Sequence, residues 1–167
     1  VYGSIKELDN KTHFIPLDGQ QRLTTLFLLH WYIGKRELKA SELDLLLNSL
    51  KGFTYATRSS ARDFCEKLMD ISISFKGEPK KEIANSAWFY GRFEKDPTVK
   101  AMLIMLDTVH SYYEQELAKN NSIKLFPALS KLSFYILPLG GFNLSDELYI
   151  KMNARGKQLT DFENFKA

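Results

Sequence analysis

The run Phe14-Ile15-Pro16-Leu17-Asp18-Gly19-Gln20-Gln21-Arg22-Leu23-Thr24-Thr25-Leu26 constrains the fold of this chain more than any other stretch. A short apolar segment with strand character ends on an aspartate and a glycine, and a long apolar helical segment follows at once. The polar block Asp18-Gly19-Gln20-Gln21-Arg22 therefore falls on a strand-to-helix turn. The start of a helix leaves several backbone N–H groups unpaired within the helix and carries partial positive charge. A phosphate or another anion docks at such a place. Gly19 lets a ligand approach the backbone because it has no Cβ. Gln20, Gln21 and Arg22 add amide and guanidinium donors within one turn. The same pattern also describes a plain helix cap in which Arg22 pairs with a carboxylate, and the bare pattern leaves the two readings level.

The 167 residues are enough for one domain with a real core. The 12 Phe, 8 Tyr and 2 Trp point to a Phe-heavy core ahead of a base-stacking surface. A net charge of +3, from 23 basic and 20 acidic residues, is too small to argue for nucleic acid and does not argue against it. The single cysteine, Cys65, excludes a disulfide framework and a cysteine-based zinc site, which fits a reducing cytoplasm. Cys65 lies in a helical stripe with Ala61, Phe64, Leu68 and Met69, so a buried structural thiol is expected. Leu23 to Ile33 is too short and too polar to span a membrane. The chain opens on Val1 in mid-strand and stops at Ala167 inside a helical pattern, so it reads as one domain, 1–167, cut from a longer protein.

Along the chain, Val1 to Leu8 and Thr12 to Leu17 read as a hairpin around Asp9-Asn10-Lys11. A helix follows from Gly19 to about Gly34, apolar nearly all round. Ser41 is placed to cap a second helix, Phe53-Thr54-Tyr55 reads as a short strand, and Ser59 or Ser60 starts a helix to about Asp70. Lys76 to Lys81 reads as a charged loop and about Lys80 to Phe93 as helix. Asp96-Pro97 is a start signal for a helix whose Val99, Met102, Leu103, Leu106, Val109, Tyr113 and Leu117 form a core face. Leu132 to Leu139 reads as a strand, with further helices capped by Ser145 and Thr160. The expected class is α+β, dominated by helices, with a small sheet at the Asp18 turn.

Familiar chemistry is largely missing. There is no phosphate loop of the G-x-x-x-x-G-K-[ST] type, no G-x-S-x-G elbow and no H-E-x-x-H helix. His13, His30 and His110 are scattered and read as structural. Arg58 and Arg62, four apart, read as a solvated or ion-paired helix face. A second polar block runs through Asn153, Arg155, Gly156 and Lys157. It reads either as a helix C-cap with Gly156 left-handed or as a second anion-binding loop.

Taken together, Ile15 to Leu26 and the late Met152-Asn153-Ala154-Arg155-Gly156-Lys157-Gln158-Leu159-Thr160-Asp161-Phe162-Glu163 resemble the DGQQR-motif domain at the N-terminus of GmrSD-type modification-dependent (type IV) restriction systems. The resemblance implies a ParB/sulfiredoxin-like sheet with helical additions. It implies a bacterial, cytoplasmic phage-defence protein in which binding and hydrolysis of an NTP with Mg²⁺ license DNA cleavage. Carried onto this chain, Asp18 would position a metal or water and Arg22 would stabilise transferring phosphoryl charge. Gly19, Gln20 and Gln21 would hold phosphates, joined by Asn153, Arg155 and Lys157. The implied partners are a nucleotide, DNA through the parent protein, and a nuclease domain or subunit. The family's upstream Gln-Arg-x-aromatic-x-Trp segment does not occur in this sequence. Two further readings compete: a ParB-like module that binds and nicks DNA directly, and a non-catalytic interaction domain.

Overall fold

The computed structural model describes residues 1–8 and 10–138. Among the described residues helices dominate and three strands form a small sheet, which is the α+β class expected from the sequence. The chain divides into two compact units, one holding Val1–Gly19 and the described residues from Phe134 onward, the other Gln20–Ser133.

The first unit is the sheet, in the order β2-β1-β3. Strands β1 (Tyr2–Leu8) and β2 (Lys11–Asp18) form the expected antiparallel hairpin, with Leu8 opposite Lys11 and Ile5 opposite Phe14. Asn10 turns the chain at φ 59°, a left-handed conformation that asparagine tolerates. The register shifts between Tyr2 and Gly3, where Gly3 faces Pro16. A Cβ on Gly3 would sit 2.1 Å from the Ile15 carbonyl oxygen, so only glycine fits there. Pro16 has no N–H for a ladder, and its place on an edge strand beside a bulge accommodates that. Of the strand expected over Leu132 to Leu139, among the described residues only Leu137–Pro138 pairs, as β3, parallel to β1.

The second unit is helical: α1 (Gln20–Glu37), α2 (Ala40–Leu50), α3 (Ser59–Asp70), α4 (Pro79–Ala84), α5 (Gly91–Lys95), α6 (Pro97–Lys119) and α7 (Phe126–Leu129). Its core joins Phe27, Leu28, Trp31 and Tyr32 of α1 to Phe64 and Leu68 of α3 and to Val99, Met102 and Leu106 of α6. Side chains of α1 also satisfy the carbonyls that α3 leaves open at its end. Trp31 Nε1 donates to Leu68 O at 2.8 Å and Lys35 Nζ to Ile71 O at 3.0 Å. Burial holds Lys35 below the usual lysine range. The start of α6 is as its sequence predicts, with Asp96 Oδ1 accepting from Thr98 N at 2.7 Å and Val99 N at 3.3 Å.

Several expectations are corrected. Gly34 does not end α1; it lies in the helix against α2, where a Cβ would sit 2.2 Å from Leu46 Cδ2. Only Leu38 and Lys39 separate α1 from α2, so the N-cap is Lys39 and Ser41 is already helical. Phe53 to Tyr55 has no ladder; it is an aromatic strap, with Phe53 stacked on Phe27 at 4.6 Å and Tyr55 edge-on to Phe53. Pro79 is buried and opens α4, which shortens the charged loop. The helix expected to about Phe93 breaks between α4 and α5, where Trp88 and Phe89 turn onto Phe64.

Candidate functional site

Asp18 ends β2 opposite Tyr2 and is half-buried. Gly19 follows at φ 89°, in the region that side chains with a Cβ rarely adopt, and is buried. In the second unit, Gln20, Gln21 and Arg22 form the first turn of α1 and are exposed. That turn itself contains no acidic residue. As the sequence predicts, β2 ends at Asp18, Gly19 takes a glycine-favouring conformation and Gln20 opens α1.

The two threonines after the motif brace it. Thr24 Oγ1 donates to Gln20 O at 2.9 Å and Thr25 Oγ1 to Gln21 O at 3.0 Å. The Thr24 hydroxyl also meets the Tyr55 hydroxyl at 2.7 Å. Burial raises the Tyr55 phenol above its ordinary range, against the opposing effects of the Thr24 bond and the Arg58 charge. These residues were not singled out as functional by sequence. The Thr24-Thr25 pair four residues after the two glutamines was the one local signal; the Tyr55 contact bridges 31 positions.

The other expected contributors separate clearly. Asn153, Arg155 and Lys157 lie outside the described residues, as do the helices expected after Ser145 and Thr160. Arg58 is the residue before α3 and donates from Nη1 to Thr98 Oγ1; Arg62 lies 3.8 Å from Asp63. Cys65 is buried and its thiol is pushed up to about 12, so it is a structural residue. His30 Nδ1 lies 2.7 Å from Leu26 O and His110 Nδ1 2.8 Å from the Tyr32 hydroxyl, both structural. No cluster of three His, Cys, Asp or Glu side chains able to hold a metal occurs among the described residues. A largely apolar groove of about 500 Å³ opens between α1, α2 and α7, lined by Leu38, Leu45, Leu46 and Phe126, away from the motif.

The described residues form a helix-dominated α+β chain with a glycine between β2 and α1 and two glutamines and an arginine in the first turn of α1. The chain belongs to the family of the GmrSD restriction endonuclease N-terminal domain, whose model matches residues 2–167. It is thus the N-terminal type of domain of a restriction system. No curated protein and no solved structure matches it. Among the described residues, no helix is long and apolar enough to cross a membrane.

Proposed function

We propose that this chain is the nucleotide-binding, NTP-hydrolysing domain of a bacterial phage-defence protein, and that its nucleotide state licenses DNA cleavage by a nuclease domain or subunit. The observation that supports this reading is the first turn of α1, where Gln20, Gln21 and Arg22 are exposed and the turn itself contains no acidic residue. The glutamine NH₂ groups, the guanidinium and the backbone N–H groups supply donors that suit the phosphates of an NTP. The Arg22 fork suits phosphate oxygens and the charge that develops on phosphoryl transfer. Asp18 is the one carboxylate in the motif, enough to orient a hydrated Mg²⁺ or a water held mainly by phosphate oxygens. When bound, Mg²⁺ would supply charge neutralisation along the phosphates. The late block Asn153, Arg155 and Lys157 enters this proposal through the family pattern as additional phosphate contacts. A cytoplasmic setting follows from the same reading.

Thermal-shift titration with ATP, GTP, CTP and UTP, each with Mg²⁺, tests it. A nucleotide at about 100 times its dissociation constant adds roughly 2.7 kcal/mol of stability. One nucleotide should raise the melting temperature of the wild type and leave Arg22→Ala unmoved. A full-length parent protein that responds to none of the four contradicts the proposal.

A further inference from the structure

We propose that the apolar groove between α1, α2 and α7 seats a second copy of this chain, in a symmetric dimer in which Leu45 of each copy enters the groove of the other. The groove lies wholly within the helical unit. Helix α2 carries five leucines in its 11 residues, yet none of its residues is buried. Leu47 and Leu50 lean on the core, and Leu46 rests against Gly34 of α1. Leu45 is 72% exposed, at the lip of a cleft of about 500 Å³ whose apolar lining includes Leu38, Leu46 and Phe126. One exposed leucine is ordinary, but a leucine beside an apolar cleft makes a continuous patch, and such patches mark interaction sites.

The cleft is preformed. Glu37, the last residue of α1, accepts from the Leu125 and Phe126 amides, each at 2.9 Å, and from the Tyr113 hydroxyl at 3.0 Å. These bonds tie the wall that carries Phe126 to α1 and α6. On the other side, Gly34 lets Leu46 pack directly over α1. A preformed groove lowers the ordering cost of an association. The charges then select the occupant. Glu37 is occupied by its three bonds, which leaves one acid, Glu42, and one base, Lys124, on the lining. Both are exposed, and among the described residues neither has an ion-pair partner. A basic segment would meet Lys124 at like charge, and an acidic segment would meet Glu42. A small polar ligand would find only the Ser49 hydroxyl besides them. The matching surface offers one acid and one base beside a projecting leucine, and this same face of a second copy is such a surface. Contacts across a two-fold axis are reciprocal, so Glu42 of each copy meets Lys124 of the other and two pairs form.

Sedimentation equilibrium of the chain, over a concentration series reaching about 1 mM, reads the association. The wild type should dimerise. Leu45→Asp, at an exposed position that leaves the core intact, should weaken the dimer by more than about tenfold, because it sets a charge into an apolar cleft twice per dimer. Glu42→Lys and Lys124→Glu should each weaken it about fivefold, since each turns two attractive contacts into repulsive ones. The variant with both reversals should return to within about twofold of wild type, a rescue that a merely apolar contact would not give. A wild type that stays monomeric overturns the inference; if that monomer binds the apolar dye anilinonaphthalene sulfonate and Leu45→Asp does not, the groove belongs to a small apolar ligand instead. A dimer indifferent to Leu45→Asp, or a double reversal no tighter than either single one, overturns it as well.

Discussion

Gly19 is where strand chemistry gives way to helix chemistry, and alanine there is a direct test of that turn. Its φ of 89° costs a residue with a Cβ roughly 1–2 kcal/mol. Alanine also restricts the unfolded chain, which returns about 0.4–1 kcal/mol. The net loss is about 0–1.6 kcal/mol, since the strain at least matches the entropy gain. In a chain of this size each kcal/mol moves the melting temperature by about 2–4 °C, so Gly19→Ala should melt lower by up to about 6 °C. Calorimetry at fixed pH and salt reads this directly. On the proposed function, the variant should also bind Mg²⁺-tripolyphosphate more weakly, since a methyl group would intrude where the proposed anion would meet the backbone. A melting temperature that rises on Gly19→Ala refutes the left-handed turn and with it the argument for close backbone approach.

Three further outcomes follow from the helical unit. Trp31→Phe removes the donor to Leu68 O and leaves a void in a fully buried site, so denaturant melts should show a loss of about 2–4 kcal/mol. Asp96→Asn should destabilise by about 1 kcal/mol near pH 7, because a charged cap is lost. Burial alone would raise the Asp96 carboxyl, but the Ser60 hydroxyl, the Thr98 and Val99 amides and Arg58 outweigh it and hold the group below its usual 3.8. Its contribution is therefore present above that value and lost as pH falls through the lower folded value, so wild type and variant should converge in acid melts. Cys65, with its thiol at about 12, should react with Ellman's reagent only as fast as the protein unfolds.

Where a structure is set by neighbours in the chain, the sequence was sufficient. The hairpin follows from Asn10 and its flanking turn residues, and the start of α6 from Asp96-Pro97. The DGQQR turn was legible for the same reason, since a strand end, a glycine and an apolar helix are adjacent. What was not legible depends on distant partners. Gly34 looks like a stop signal until Leu46 is found against it. Phe53 to Tyr55 has strand composition, yet its rings are spent on Phe27 and its hydroxyl on Thr24. Pro79 reads as a loop residue, and only its burial against the core shows why a helix starts there. Arg58 resembles a solvated surface cation until its donation to the Thr98 hydroxyl of α6 is found, a partner 40 positions away.

The central claim is that the Asp18–Arg22 turn holds nucleotide phosphates, and direct calorimetric titration of the parent protein with Mg²⁺ and each of the four NTPs tests it most plainly. The account predicts saturable binding of at least one NTP, lost by more than tenfold in Arg22→Ala while the melting temperature of the ligand-free protein changes little. Undiminished binding by Arg22→Ala, or no heat from any of the four, would contradict it.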